Sequence, residues 1–222
     1  MLEPNTYYHI YNRANGNDLL FKNEENYRFF LKKVALYIQP IADIYCWCLM
    51  PNHFHFLIKI KTEDDLFSLP KFKIGVNEVD VSLTYTKFET SDKLSNGIPL
   101  DKLELKKYLS KQFSNLFSSY TQAFNKVNNR KGSLFIKNFK YKEVASNAYL
   151  SNLILYIHAN PVHHGFVKQI QDWQFSSFHT FLSDKPTNLN RIDTLEIFNG
   201  IENFMVYHKG NYNKNLALIF ED

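Results

Sequence analysis

The chain has 222 residues, 45% hydrophobic and 22% charged, the balance of one soluble globular domain, with or without additions, that is long enough to bury a core. Seven Gly and seven Pro exclude collagen-like and low-complexity classes, and two Cys exclude a disulfide scaffold. No apolar run reaches the roughly 18 residues of a membrane helix, and no Lys/Arg-led leader opens the chain, so a cytoplasmic protein without a membrane partner is expected. A net charge of +4 argues against a surface coated in basic residues, whereas 16% aromatic residues is an unusual load.

In chain order, Tyr7–Asn12 is aromatic and β-branched and reads as a strand, followed by a turn cluster at Asn15–Asp18. Glu24–Ile38 places Tyr27, Phe30, Leu31, Val34 and Ile38 near helical spacing and predicts an amphipathic helix ended by Pro40. Ile41–Cys48 and His53–Ile60 flank the Pro51-Asn52 turn and predict a hairpin. From residue 61 to about 108 the texture changes, with acids slightly outnumbering bases and Gly, Pro, Ser and Asp recurring, as in an insertion between core elements. Leu103–Lys126 reads as a long helix, Leu134–Val144 as a fourth strand, and Ala148–Ala159 as a helix capped by Ser146 or Asn147 and ended by Pro161. The order β-α-β-β-α-β-α predicts an α+β fold: a ferredoxin-like antiparallel sheet with helices packed on one face. Residues 1–182 form the expected domain, and 183–222 an extension whose role the sequence leaves open.

The charge is not evenly spread. Between Asn128 and Ala145 stand Arg130, Lys131, Lys137, Lys140 and Lys142 against the single acid Glu143, an excess equal to the net charge of the whole chain. Phe135, Phe139 and Tyr141 interleave with them. Such a segment suits a phosphate backbone with unstacked bases, and equally a strand with one solvated face.

Two further patterns carry chemistry. His53 and His55 are two apart on a strand, so both imidazoles leave the same face, where they could hold a metal or be a surface coincidence. Cys46 and Cys48 share a face of the neighbouring strand; a Cys/His zinc site is conceivable, although the spacing is not that of a zinc finger and such cysteines are often small core residues. On the last helix Asn152, Tyr156 and Asn160 recur every four residues on one face. Tyr156 could be a nucleophile and Asn160 a third oxygen ligand, or both could serve packing and helix termination.

The string Cys48-Leu49-Met50-Pro51-Asn52-His53-Phe54-His55-Phe56-Leu57-Ile58 resembles the signature of the IS200-like transposases, the single-tyrosine (Y1) members of the HUH nuclease superfamily. Tyr8–Arg13 resembles the family's opening strand and Leu134–Lys140 its basic strand. Tyr156-Ile157-His158-Ala159-Asn160-Pro161-Val162 resembles the tyrosine helix of the REP-associated tyrosine transposase branch. Trp173, Ser176, Ser177 and Phe178 resemble the segment that follows it.

This resemblance implies a transposase that cleaves and rejoins single-stranded DNA at hairpin-bearing element ends through a 5′-phosphotyrosine. By position, Tyr156 is the implied nucleophile and His53 and His55 the metal ligands. Asn160 stands where related enzymes carry a third ligand, on a side chain one methylene shorter. The implied cofactor is Mg²⁺ or Mn²⁺, which leaves coordination positions for phosphate and water oxygens. Arg13, Arg130, Lys131, Lys137, Lys140 and Lys142 are the expected DNA contacts, with Lys140 and Lys142 on one strand face and Lys137 off it. A tyrosine hydroxyl titrates near 10 and needs help to ionise, and His158 faces away from Tyr156 on the helix. The resemblance admits a monomer or a homodimer, and a non-catalytic nucleic-acid-binding module that keeps the fold is the alternative.

Overall fold

The computed structural model describes residues 1–70, 100–144 and 146–210. Four strands, β1 (Tyr7–Arg13), β2 (Ala42–Met50), β3 (His53–Ile60) and β4 (Lys140–Glu143), form an antiparallel sheet in the order β2-β3-β1-β4. The Pro51-Asn52 turn joins β2 to β3, and a bulge at Tyr45 shifts the register of β2. α1 (Glu24–Tyr37) starts at Asn23, whose side chain accepts the Asn26 N–H, and Glu24 and Glu25 in its first turn complement the helix dipole. α2 is the short Glu63–Phe67, α3 the long Leu100–Val127, and α4 Asn147–His163, capped by Ser146.

Strand alternation divides the sheet into two faces. Tyr8, Ile10, Phe54, Phe56 and Ile58 point towards α1 and α3, where they join Phe30, Val34, Leu109, Phe113, Leu116 and Tyr120 in one core. Phe30 is fully buried and its ring meets those of Phe21, Phe54, Tyr120 and Phe135. Phe30→Ala should cost about 3–5 kcal/mol, read as a lower urea midpoint with an unchanged slope. Tyr45, Cys46, Cys48, Met50 and Leu57 point the other way, into a second core with Leu153, Ile154, Ile157, Phe178 and Phe204.

The α+β antiparallel sheet is as expected, but its helices lie on both faces. α1 and α3 keep the ferredoxin-like side, while the apolar stripe of α4 covers the opposite side of β2 and β3, whose Cys and Leu side chains would otherwise face water. Pro161 does not end α4, which runs on to His163; a proline this near the C-terminus forgoes only the bond to the Ile157 carbonyl, and His164 N–H still donates to Asn160 O at 3.0 Å. The expected strand Leu134–Val144 shrinks to Lys140–Glu143, because Asn138 adopts a left-handed φ of 63° and leaves Phe135 in a single bridge to Ala14. Of the expected insertion at 61–108, residues 71–99 lie outside the described residues, and 100–108 belong to α3.

Beyond α4, the chain runs along the edge of β2. A single 3₁₀ turn (Ile170–Asp172) leads to Trp173, whose indole donates to Leu49 O, and Cys48 bridges Ser176. α5 (Phe178–Phe181) follows, Leu189 bridges Ile44 in parallel, and α6 (Arg191–Glu196) and α7 (Ile201–Gly210) close the second core. These contacts occupy backbone groups that an edge strand would otherwise expose. No helix among the described residues is long and apolar enough to cross a membrane.

Candidate active site

The interior strand β3 carries His53 and His55 on the face covered by α4. On α4, Tyr156 and Asn160 stand one turn apart, and the helix brings both onto the imidazoles. The Tyr156 ring meets His55 edge-on at 5.5 Å between centroids and His9 at 6.0 Å. Asn160 is fully buried, with Oδ1 3.2 Å from His53 Nε2. These contacts lie within one chain, so the tyrosine helix closes over its own sheet.

The protonation pattern suits ligation. His53 Nδ1 lies 2.7 Å from Asn52 Oδ1, so with the amide oxygens as assigned the ring donates there and keeps its lone pair on Nε2. That lone pair then faces the Asn160 carbonyl, two acceptors turned to one point, while Asn160 Nδ2 is buried with no hydrogen-bond partner among the described residues. Burial pushes His53 down to about 4, with His164 and Arg13 adding to the fall and the Asn160 contact opposing it. His55 is held well below the ordinary imidazole range by burial and then by its neighbours His9, His53 and His164. Both rings are therefore neutral at pH 7, the form that binds a metal. Two neutral imidazoles and an amide oxygen fit a divalent ion that takes its remaining ligands from phosphate and water.

Among the described residues there is no cluster of three or more His, Cys, Asp or Glu able to hold a metal, so the Cys/His zinc reading finds no support. Cys46 and Cys48 are fully buried in the second core, and burial raises both thiols.

The basic residues fall into three groups. Lys140 pairs with Tyr11 and Lys142 with His9 across β1 and β4, which puts both lysines on the imidazole face. Arg13 pairs with His53 at the exposed end of β1. Lys137 instead stands on the wall of a separate cleft of about 620 Å³ between α3 and residues 133–139, which contains none of His53, His55, Tyr156 or Asn160. Arg130 is committed locally: its guanidinium pairs with Asp18 and bonds to Asn125 and to the carbonyls of Gly132 and Ser133, holding the loop after α3. Lys131 is exposed in that loop.

Sequence reasoning passed over two histidines beside the site. His9 Nε2 lies 2.9 Å from His55 Nδ1, and the His164 ring lies 4.8 Å from that of His53. No sequence signal marked His9: it lies two residues before Tyr11, the register partner of His55, and that register is set by the fold. His158 does point away from Tyr156: its Nδ1 meets His208 Nε2 at 2.9 Å and its Nε2 meets Ser177 Oγ at 2.8 Å. Tyr207 on α7 also donates to Asn152 Oδ1 at 2.7 Å, so α7 grips α4 at two points.

A search of protein-family models finds no match. The chain is 25% identical over 134 residues to a putative REP-associated tyrosine transposase of Haemophilus influenzae, covering 60% of this chain and 56% of that relative. A REP-associated tyrosine transposase of Escherichia coli K12 is 67% identical over 24 residues, 11% of this chain and 14% of that one. The chain thus spans little more than half the length of the first relative and a short piece of the second. A solved REP-associated tyrosine transposase bound to a REP hairpin superposes with a TM-score of 0.50 at 18% identity, covering 84% of this chain and 86% of that one, a likeness of fold. The chain thus resembles REP-associated tyrosine transposases in sequence over part of its length and one of them in fold.

Proposed function

We propose that this chain, related in sequence and fold to REP-associated tyrosine transposases, is a metal-dependent single-stranded DNA endonuclease and strand-transfer enzyme that acts at hairpin-bearing ends. The observation that carries the proposal is the meeting of His53 and His55 with Tyr156 and Asn160, more than 100 residues later, on one face of the sheet.

A divalent ion, Mg²⁺ or Mn²⁺, held by His53, His55 and Asn160 would polarise a non-bridging oxygen of the scissile phosphate. The Tyr156 oxygen attacks phosphorus in line; the bond to the 3′-oxygen breaks, a 5′-phosphotyrosine forms, and the phenolic proton is balanced by the one gained at the 3′-hydroxyl. The tyrosine ester conserves the bond energy, so another 3′-hydroxyl can reverse the step and rejoin strands without ATP. Lys140, Lys142 and Arg13 surround the imidazole face and would hold backbone phosphates without reading sequence. Lys131 and Lys137 would serve more distant phosphates, and Arg130 would act through the loop it holds. Exposed Tyr141 is on the opposite sheet face, against Tyr8, and so does not line the imidazole face.

The test is to incubate the protein with single-stranded hairpin DNA and Mn²⁺ and look for a denaturant-resistant protein–DNA adduct. His53→Ala should abolish the adduct and leave hairpin affinity within about threefold, because phosphate contacts from lysines supply most of the binding. Equal loss of cleavage and binding would instead assign His53 to folding. Absence of an adduct in the wild type on every end sequence tried would sink catalysis.

A further inference from the structure

Among the buried titratable groups that the proposed reaction does not use, His9 has the most specific environment. It is fully buried on β1, on the same sheet face as His55, and the two rings stack at 5.1 Å with 21° between their planes. Its Nε2 lies 2.9 Å from His55 Nδ1, whereas its Nδ1 is buried with no hydrogen-bond partner among the described residues. Burying an imidazole forfeits its hydration. Among the described residues the one bond His9 makes in return goes to His55, and the role inferred for His9 rests on His55 being a metal ligand.

A neutral imidazole carries one proton on two nitrogens, so the contact admits two arrangements. If His9 Nε2–H donates to His55 Nδ1, the proton of His55 sits on Nε2, and that nitrogen cannot ligate. If His55 Nδ1–H donates to His9 Nε2, the lone pair of His55 is free on Nε2. Ligation through Nδ1 is closed off, because His9 fills that side of the ring. We propose that His9 is a positioning residue: by accepting from His55 Nδ1–H it fixes the ring orientation and tautomer that present His55 Nε2 to a divalent cation. A partner that orients a metal-binding histidine through its second nitrogen is a general device, here supplied by another imidazole in place of a carboxylate. The same pair of rings is the platform against which the edge of Tyr156 packs, so the device also sets the distance between ligand and nucleophile.

The experiment is a Mn²⁺ titration of the full chain, without DNA, followed by electron paramagnetic resonance. Wild type is compared with His9→Gln, which keeps an acceptor near the place of Nε2, with His9→Phe, which keeps a ring and loses the acceptor, and with His55→Ala. Thermal melts establish that each variant is folded, and His9→Leu stands in should the Phe variant not fold. We expect His9→Phe to bind Mn²⁺ roughly 10–100-fold more weakly, and His9→Gln to stay within about threefold of wild type. Wild-type affinity in His9→Phe overturns the inference. So does an equal loss in the Gln and Phe variants, which would reduce His9 to packing. If wild type binds no more tightly than His55→Ala, the ligand assignment itself falls and the inference falls with it, a result distinct from a change confined to His9.

Discussion

Tyr156→Phe should form no detectable covalent adduct with single-stranded hairpin DNA in the presence of Mn²⁺, a loss of at least about a thousandfold, because removal of a nucleophile eliminates the covalent path and not merely its efficiency. The protein should stay folded, with a stability change within about 1 kcal/mol, since only one hydroxyl is lost and the buried ring is kept. Hairpin binding, proposed to come from basic side chains around the site, should be nearly unchanged. The informative control is Tyr11, whose ring stacks on His9 at 4.6 Å and on His55 at 5.7 Å and so stands on the same imidazole face. Tyr11→Phe should retain the adduct. A persistent adduct in Tyr156→Phe that disappears in Tyr11→Phe would move the nucleophile from the helix to the sheet.

The second large effect concerns acid. The bonds around His158 specify one proton arrangement. His208 Nδ1 faces the Phe204 carbonyl at 2.8 Å and must donate, so its Nε2 accepts from His158 Nδ1–H, and His158 Nε2 accepts from Ser177. Every nitrogen is satisfied while both rings are neutral, and an added proton would put two N–H groups face to face. Burial accordingly pushes His208 down to about 4, with its bond to Phe204 O opposing the fall, and His158 well below its ordinary value. An unfolded histidine titrates near 6.5, so between that pH and about 4 the unfolded chain binds more protons than the folded one, and stability falls as pH falls. It is fully present above 6.5 and levels off below the folded value. His208 alone accounts for about 3 kcal/mol, at 1.36 kcal/mol for each pH unit. Of this, the two pH units between 6.5 and 4.5 carry about 2–3 kcal/mol, so urea melts of the metal-free protein at pH 7.5 and 4.5 should differ by about that amount, and His208→Gln should shallow the slope. A flat profile across this window would show that the two rings are not buried as neutral pairs.

Much of the architecture was legible because it follows from local periodicity. The alternation of β3 puts His53 and His55 on one face whatever else the chain does, and the four-residue spacing of Tyr156 and Asn160 puts both on one side of a helix. The face that α4 covers was not legible, because an apolar stripe records that a helix is buried and not beneath which side of a sheet. Asn138 misled the reading of the fourth strand: asparagine tolerates the left-handed conformation, and a single such residue ends a ladder that apolar alternation alone would continue. His9 stayed hidden because its bond to His55 is diagonal across β1 and β3, a relation that exists only once the register is known. The part played by α7 was invisible for a similar reason, since Tyr207 and His208 meet α4 across about 50 residues of sequence.

The two cores also differ in where along the chain they come from. The α1–α3 side is built from residues up to Phe135, whereas the imidazole side is closed by segments that begin at Val144 and run to Phe204 and His208. Chains emerge from synthesis N-terminal end first, and regions fold as their partners become available. The buried residues of the first core are therefore all made while the histidines still face water, with only flanking contacts such as Phe175 on Tyr27 to come, and Tyr156 and Asn160 cannot meet His53 and His55 until α4 has been made. The division of one sheet between an early face and a late face thus implies an order in time: the strands that carry His53 and His55 are made well before the helix that brings Tyr156 and Asn160 to them.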